Sequence, residues 1–352
     1  MERRRERRQR KVRILIIRFS SIGDIVLTTP VIRCLKEQIP NAEIHFLTKK
    51  NFKNIIENNP YIDQTHYLRK SLADTIFKIQ GIRFDYIIDL HKSLRSFWFR
   101  FSLMGTSYTF DKLNVQKWMM VNFKKNNLPD LHIVDRYMET VKPLGVKYDG
   151  KGLDFFLSKA DRMNVDDLPD NFKDGFASIV IGAKHNTKQI PSFILEDTIA
   201  NLSIPVVLLG SKVDFPKADK IVKKFPANQV FNACGRYNLG ASASFLEASK
   251  FVITPDTGLM HIAAAFGKDI ISLWGNTIPA FGMTPFYADN FESREKNKII
   301  EVTDLDCRPC SKLGFRKCPK KHFKCMRLLD AVDVLEALKN FPEHKVLIKA
   351  DI

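Results

Sequence analysis

Two kinds of apolar pattern alternate along this chain. Short runs rich in β-branched residues are followed by longer stretches in which apolar positions recur every three or four residues. The first kind reads as buried strands and the second as covering helices. In the first half, Val12–Phe19 (VRILIIRF), Ala42–Thr48 and Phe84–His91 are predicted strands. The predicted helices there are Asp24–Gln38, kinked by Pro30, Phe52–Asn59, Leu94–Gly105, and 131–145, stopped by Pro143 and Gly145. A polar, turn-rich stretch, Val146–Gly175, is expected to hold a linker. The alternation then restarts, with strands at Phe176–Ala183, Pro205–Gly210, Phe251–Pro255 and Asp269–Gly275 and helices at Pro191–Leu202, Thr257–Phe266 and Leu328–Phe341. This order predicts an α/β protein of two parallel-sheet halves. The expected division is a tail at 1–11, a domain at 12–150, a linker region at 151–175, a second domain at 176–327, and a last helix with its tail at 328–352. Two such halves leave a cleft between them, and ligands of open α/β sheets bind beyond the carboxyl ends of the strands.

A length of 352 residues suits two domains, and 45% hydrophobic with 27% charged residues is ordinary for a globular protein. No apolar run approaches the ~20 residues of a membrane span. The first run, ILII, is too short for a signal-peptide core, so a cytoplasmic enzyme is the expectation. Charge sharpens this picture. The net charge is +17; residues 1–11 hold six Arg, one Lys and two Glu, contributing 7 − 2 = +5 and leaving 17 − 5 = +12 for the rest. Such a field favours an anionic partner: nucleic acid, anionic lipid or a phosphorylated substrate. The arginine run itself reads either as a solvated tail or as a foot on an anionic membrane surface.

Three segments carry candidate chemistry. In RFSSIGDIVLTTP, a strand runs into Ser20, Ser21 and Gly23 and then Asp24 at the mouth of a helix. Ser21 and Asp24 fit a capping box, so the acid can serve the helix's own free N–H groups. It can equally act as a general base on a sugar hydroxyl, although its low reference pKa requires the proton to leave within the transition state. In TPDTGLMHIAAAFG, Asp256, Thr257 and Gly258 open a helix whose N-terminal N–H groups suit an anion. Asp256 would repel phosphate and is assigned to sugar hydroxyls, with His261 one turn into the helix. In GAKHNTKQIP, Lys184, His185 and Lys188 share one loop after a strand, and lysines suit phosphate as mobile point charges. Late in the chain, Cys307, Cys310, Cys318 and Cys325 lie close together, with His322 among them. They read either as a structural zinc site or as reduced thiols packed in a loop, since cytosolic disulfides are rare. Lys312, Arg316, Lys317, Lys320, Lys321 and Lys324 make that loop basic.

RFSSIGDIVLTTPVIRCLK, FVITPDTGLMHIAAAFGKDIISLWG and CRPC…CPKKHFKCM together resemble glycosyltransferase family 9, the lipopolysaccharide heptosyltransferases, across most of the chain. The resemblance implies a GT-B fold: two Rossmann-like domains facing an interdomain cleft, the first holding the acceptor and the second the nucleotide sugar. It implies an inverting, metal-independent transfer in the cytoplasm, peripheral to the inner membrane. The donor would be ADP-heptose and the acceptor an anionic lipid A/Kdo-type molecule, with no nucleic acid involved. Asp24 matches the family's base, beside the acceptor-side loop Ser20, Ser21 and Gly23. Lys188 matches the lysine on the departing pyrophosphate. Asp256, Thr257, Gly258 and His261 match the donor loop, with Lys184 alongside. Two rival readings are a nucleotide-sugar epimerase on the same architecture and a basic nucleic-acid-binding protein.

Overall fold

A computed structural model of the chain describes residues 10–164, 167–290 and 295–349. Most of the arginine-rich tail, residues 1–9, lies outside the described residues; of the remainder, Arg10 pairs with Asp85 at 2.6 Å. Contacts divide the chain into two units. Residues up to Lys112 with Ile133–Asp149 form the first, and Leu113–His132 with the residues from Gly150 onward form the second.

The first unit runs β1 (Val12–Ile17), α1 (Ile22–Val26), α2 (Thr29–Gln38), β2 (Ala42–Thr48), α3 (Lys53–Ile56), β3 (Gln64–Tyr67), α4 (Leu72–Ile79), β4 (Tyr86–Asp89), α5 (Leu94–Leu103) and β5 (Thr106–Thr109). The chain then supplies α6 (Asn114–Phe123) to the second unit and returns for α7 (Ile133–Met138). The five strands are parallel, in the order β3-β2-β1-β4-β5. β1 is central and is apolar on both faces, as a doubly covered parallel strand must be. Leu15 and Ile17 pack against Ile79 of α4 and Phe99 and Leu103 of α5, while Ile14 and Ile16 point to the opposite face. Each such fully buried side chain contributes roughly 1.5–3 kcal/mol.

The predicted helix 24–38 is two helices, broken at Leu27 and Thr28. Pro30 stands in the first turn of α2, where its missing N–H costs nothing. Arg33 of α2 is buried and makes a two-pronged ion pair with Asp149 at 2.7 and 2.9 Å, closing the end of the unit onto its sheet. β3 (QTHY) and β5 (TSYT) escape the apolar pattern because they are short, polar edge strands.

The second unit runs β6 (Ala177–Val180), α8 (Ser192–Ala200), β7 (Val206–Leu209), α9 (Phe215–Val222), β8 (Val230–Asn232), α10 (Leu239–Ala248), β9 (Phe251–Pro255), α11 (Gly258–Ala265), β10 (Asp269–Trp274), β11 (Asn297–Glu301), α12 (Lys324–Arg327) and α13 (Ala331–Lys339). Its six strands are parallel, in the order β11-β10-β9-β6-β7-β8. Ile179, Leu208, Ile253 and Ile271 meet Leu195 and Ile199 of α8 and Leu335 and Leu338 of α13 in its core.

Two stretches sit differently from the sequence-based division. Residues 150–164 and 167–175 belong to the second unit. Phe155 is buried with its ring 5.8 Å from that of Phe266. Gly152, at φ +73°, lies so close to the Tyr287–Ala288 backbone that a Cβ would come 2.7 Å from the Ala288 nitrogen. The stretch 113–132 also belongs to the second unit. Lys124 Nζ donates to the Pro309 carbonyl at 2.8 Å, and His132 stacks on Phe286.

One stability prediction follows from β2 and β3. His45 Nδ1 lies 2.9 Å from His66 Nε2. Burial, then the neighbouring His45, pushes His66 down to about 4, and burial, then Arg18, does the same to His91. Each is neutral when folded, whereas an unfolded histidine takes its proton near pH 6.5. The unfolded chain therefore binds more protons between about pH 6.5 and 4, and stability is lost as pH falls through that window. The melting temperature is expected to hold above pH 7 and to drop between pH 6.5 and 4. His66→Gln should shallow that drop, as scanning calorimetry across pH would show.

Candidate active site

The parallel register delivers two groups of polar side chains, one at the carboxyl end of each sheet. In the first unit, Ile17 is paired with Leu47 and Asp89, so Arg18 and Leu90 leave the sheet at its carboxyl end beside Thr48, the last residue of β2. Ser20 and Ser21 follow, joined by a cis peptide, and α1 then presents Gly23, buried, and Asp24. Asp24 Oδ2 accepts from the Ser21 N–H at 2.9 Å and from its hydroxyl at 2.7 Å. Asp24 Oδ1 meets the Arg18 guanidinium at 2.5 Å. Burial pushes the Asp24 carboxyl up, but Arg18 and then the two Ser21 donors outweigh it and hold the carboxyl below its ordinary value. About a quarter of the side chain remains exposed. Asp24 is thus an oriented, ionised carboxylate at neutral pH.

Arg18 is anchored from behind. Its Nε donates to the Ser20 carbonyl at 2.9 Å, another nitrogen donates to the Leu90 carbonyl, and the guanidinium lies 5.9 Å from the Tyr137 ring centre. A cavity of about 320 Å³ lies in the same unit, lined by Phe19, Lys49, His91, Ser93, Leu94 and Arg95. The His91 ring sits 4.7 Å from that of Phe19, and the His91 loop is braced by Asp89, which accepts from the His91 and Lys92 N–H groups.

In the second unit, β9 ends at Pro255 and Asp256 precedes α11. Asp256 Oδ2 accepts from Lys188 Nζ at 2.5 Å and from the Thr277 hydroxyl at 2.8 Å. The lysine and aspartate assigned to pyrophosphate and sugar therefore pair with each other. An ammonium has three N–H donors, so this pairing leaves two for a ligand. Thr257 caps α11, its hydroxyl accepting from the Leu259 N–H at 3.1 Å, and Gly258 opens the helix. His261 is buried, and Lys184 is exposed on the loop ahead of Lys188.

The cysteine-rich loop braces this site. Arg308 is buried and donates to the carbonyls of Gly275 (2.5 Å) and Thr277 (3.0 Å) while pairing with Glu301. Thr187, next to Lys188, makes three hydrogen bonds with Phe315, two of them through its hydroxyl. Asn276 lies between these contacts, buried, with no hydrogen-bond partner for its amide among the described residues.

Of the two readings of the cysteine cluster, the zinc site finds no support in the structure. Among the described residues, no group of three or more His, Cys, Asp or Glu is placed to hold a metal. Cys307, Cys310, Cys318 and Cys325 are all free. Cys310 spends its thiol proton on the Cys307 carbonyl, 2.9 Å away. Burial first, and neighbouring thiols second, push Cys310 up to about 11 and Cys325 up to about 12.

Arg18 was legible as a lone charge closing an apolar strand, and Arg308 as the arginine inside the CxxC pair. Tyr137, His91 and Thr277 carried no signal, because what matters about them is the contacts they make with distant parts of the chain.

The family model described as Glycosyltransferase family 9 (heptosyltransferase) matches residues 75–313. The curated lipopolysaccharide heptosyltransferase 1 of Campylobacter coli is 24% identical, over 93% of this chain and 98% of its own. Two solved structures share the fold. The glycosyl transferase family 9 protein of Veillonella parvula superposes with a TM-score of 0.73 at 19% identity, covering 93% of this chain and 96% of that one. The ADP-heptose lps heptosyltransferase II of E. coli superposes with a TM-score of 0.71 at 18% identity, covering 95% and 99%.

Proposed function

This chain belongs to glycosyltransferase family 9, and we propose that it moves a heptose from ADP-heptose to an anionic lipid A/Kdo-type acceptor of the lipopolysaccharide inner core, with inversion and without a catalytic metal. It is a glycosyltransferase with a GT-B fold. The observation that carries the reading is the family match, which spans Lys188 and the Asp256–Gly258 loop. The Campylobacter coli relative is named for heptosyl transfer to lipopolysaccharide, and the E. coli neighbour is named for ADP-heptose.

The first unit holds the acceptor and the second the donor. Asp24 accepts the proton of the acceptor hydroxyl as its oxygen attacks the anomeric carbon. The bond from that carbon to the diphosphate oxygen breaks, and ADP departs with its electron pair. The charge that develops on the diphosphate meets Lys188 and the N-terminal N–H groups of α11, fixed dipoles that need no reorganisation. Asp256 holds Lys188 in place and reaches the sugar hydroxyls. Lys49 and Arg95 give acidic groups of the acceptor a cationic wall. The enzyme works in the cytoplasm at the inner membrane. No helix among the described residues is long and apolar enough to cross a membrane.

The test is transfer from ADP-heptose to a Kdo–lipid A acceptor, followed by mass spectrometry. A product heavier by one heptose supports the reading. Donor binding without transfer would point to another acceptor, and no binding at all would remove the donor.

A further inference from the structure

The outer face of α5 is as apolar as its inner face. Ser96, Phe99 and Leu103 point into the first unit and are buried. On the opposite face, Leu94 is 84% exposed, Phe97 47%, Trp98 51%, Phe101 69% and the adjoining Met104 92%. Their spacing of three and four residues makes one stripe. The rings of Phe97, Trp98 and Phe101 lie 5.9–6.3 Å from one another, so the exposed surface is one patch. The neighbouring α4 carries a further exposed ring, Phe77, 76% exposed. Contiguous exposed apolar surface marks an interaction site.

We infer that this stripe is a docking face for an anionic phospholipid bilayer. Charge selects the partner. From Leu68 to Arg100 there are seven Lys or Arg and three Asp. The segment's net charge is therefore 7 − 3 = +4; Arg100 spends its charge on the buried Asp89, and Asp85 is paired with Arg10 outside the segment. Arg95 and Arg100 flank the rings, and the Arg100 guanidinium lies over Phe97 at 5.7 Å. Trp and Phe beside Arg is the composition of a helix lying in a membrane interface. Basic residues there are attracted by the anionic leaflet at about 1 kcal/mol each. A second copy of the chain fits poorly. Two bodies of charge +17 repel each other, and a ten-residue helix, about 15 Å long, is short of the roughly 800 Å² per partner of a stable interface. The purpose of the face rests on the lipid-borne acceptor proposed above, but its readout contains neither donor nor acceptor, so each reading can fail without the other.

The experiment is vesicle flotation of the full chain with phosphatidylcholine alone and with about 30% phosphatidylglycerol. Binding should require the anionic lipid and fall at least about tenfold in Phe97→Ser/Trp98→Ser/Phe101→Ser. In a Trp118→Phe background, Trp98 fluorescence should be quenched by brominated phosphatidylglycerol; Trp274 is buried. Circular dichroism checks folding, and Phe101→Ser alone serves if the triple variant fails that check. The inference is overturned if the native chain ignores anionic vesicles, if the folded variants bind as well as native, or if binding leaves Trp98 unquenched. A native dimer that the variants dissolve, with no vesicle binding, would assign the face to a second copy instead.

Discussion

Asp24→Asn is expected to lower the transfer rate by roughly 10²–10⁴-fold, the usual worth of a positioned general base. Asparagine fills the same space and its carbonyl can still accept from Ser21, but it cannot take the acceptor's proton. It also leaves the Arg18 guanidinium without its carboxylate. Breaking a buried pair from one side typically costs several kcal/mol. Arg18 keeps its bonds to the Ser20 and Leu90 carbonyls, which moderates that cost here. The rate must therefore be measured on protein shown to be folded, with donor binding as the control. A pH profile separates the roles further. Arg18 and Ser21 hold the Asp24 carboxyl below its ordinary value, so its protonation belongs below about pH 4. Activity lost on acidification between pH 6.5 and 4 would then belong to the histidines. A folded Asp24→Asn protein with native turnover would return Asp24 to its capping role alone.

Lys188→Ala is expected to cost roughly 10²–10³-fold, mainly in kcat, because the charge it meets grows as the diphosphate leaves. The same change strips Asp256 of its ion pair and leaves it the Thr277 hydroxyl, so some loss of stability accompanies the loss of rate. Lys188→Arg tests position against charge. A guanidinium keeps the charge but not the compact reach of an ammonium, and partial recovery is expected. Steady-state kinetics decides: a raised KM with unchanged kcat would make Lys188 a ground-state donor contact and remove it from the departure step.

Much of this could be read from the chain itself. β2 and β9 run between the residues where the apolar pattern places them, because β-branched runs bounded by turns leave little choice. Asp24 and Ser21 were legible as a capping pair, and the hydrogen bonds between them are present. What orients that carboxylate was hidden: Arg18 is local, but its anchor at Leu90 stands 72 residues away in sequence. The pairing of Lys188 with Asp256 across 68 residues was hidden for the same reason. At the cysteines, spacing left two readings open, a ligand set and thiols packed in a loop; one thiol donates to a backbone carbonyl, and Arg308, between the first two cysteines, grips the backbone beside Thr277.

The excursion of α6 sets a schedule for biosynthesis. Lys124 is made 183 residues before Cys307, whose carbonyl it meets. At roughly 5–20 residues per second, α6 waits on the order of 10–40 s on the ribosome for its partners. During that wait Lys124, at the end of α6, has neither the Cys307 nor the Pro309 carbonyl to donate to. It follows that no single cut in the gene yields both units whole. A fragment ending at Asp149 carries α6 without its partners, and one beginning at Gly150 lacks the lysine that holds the Pro309 carbonyl.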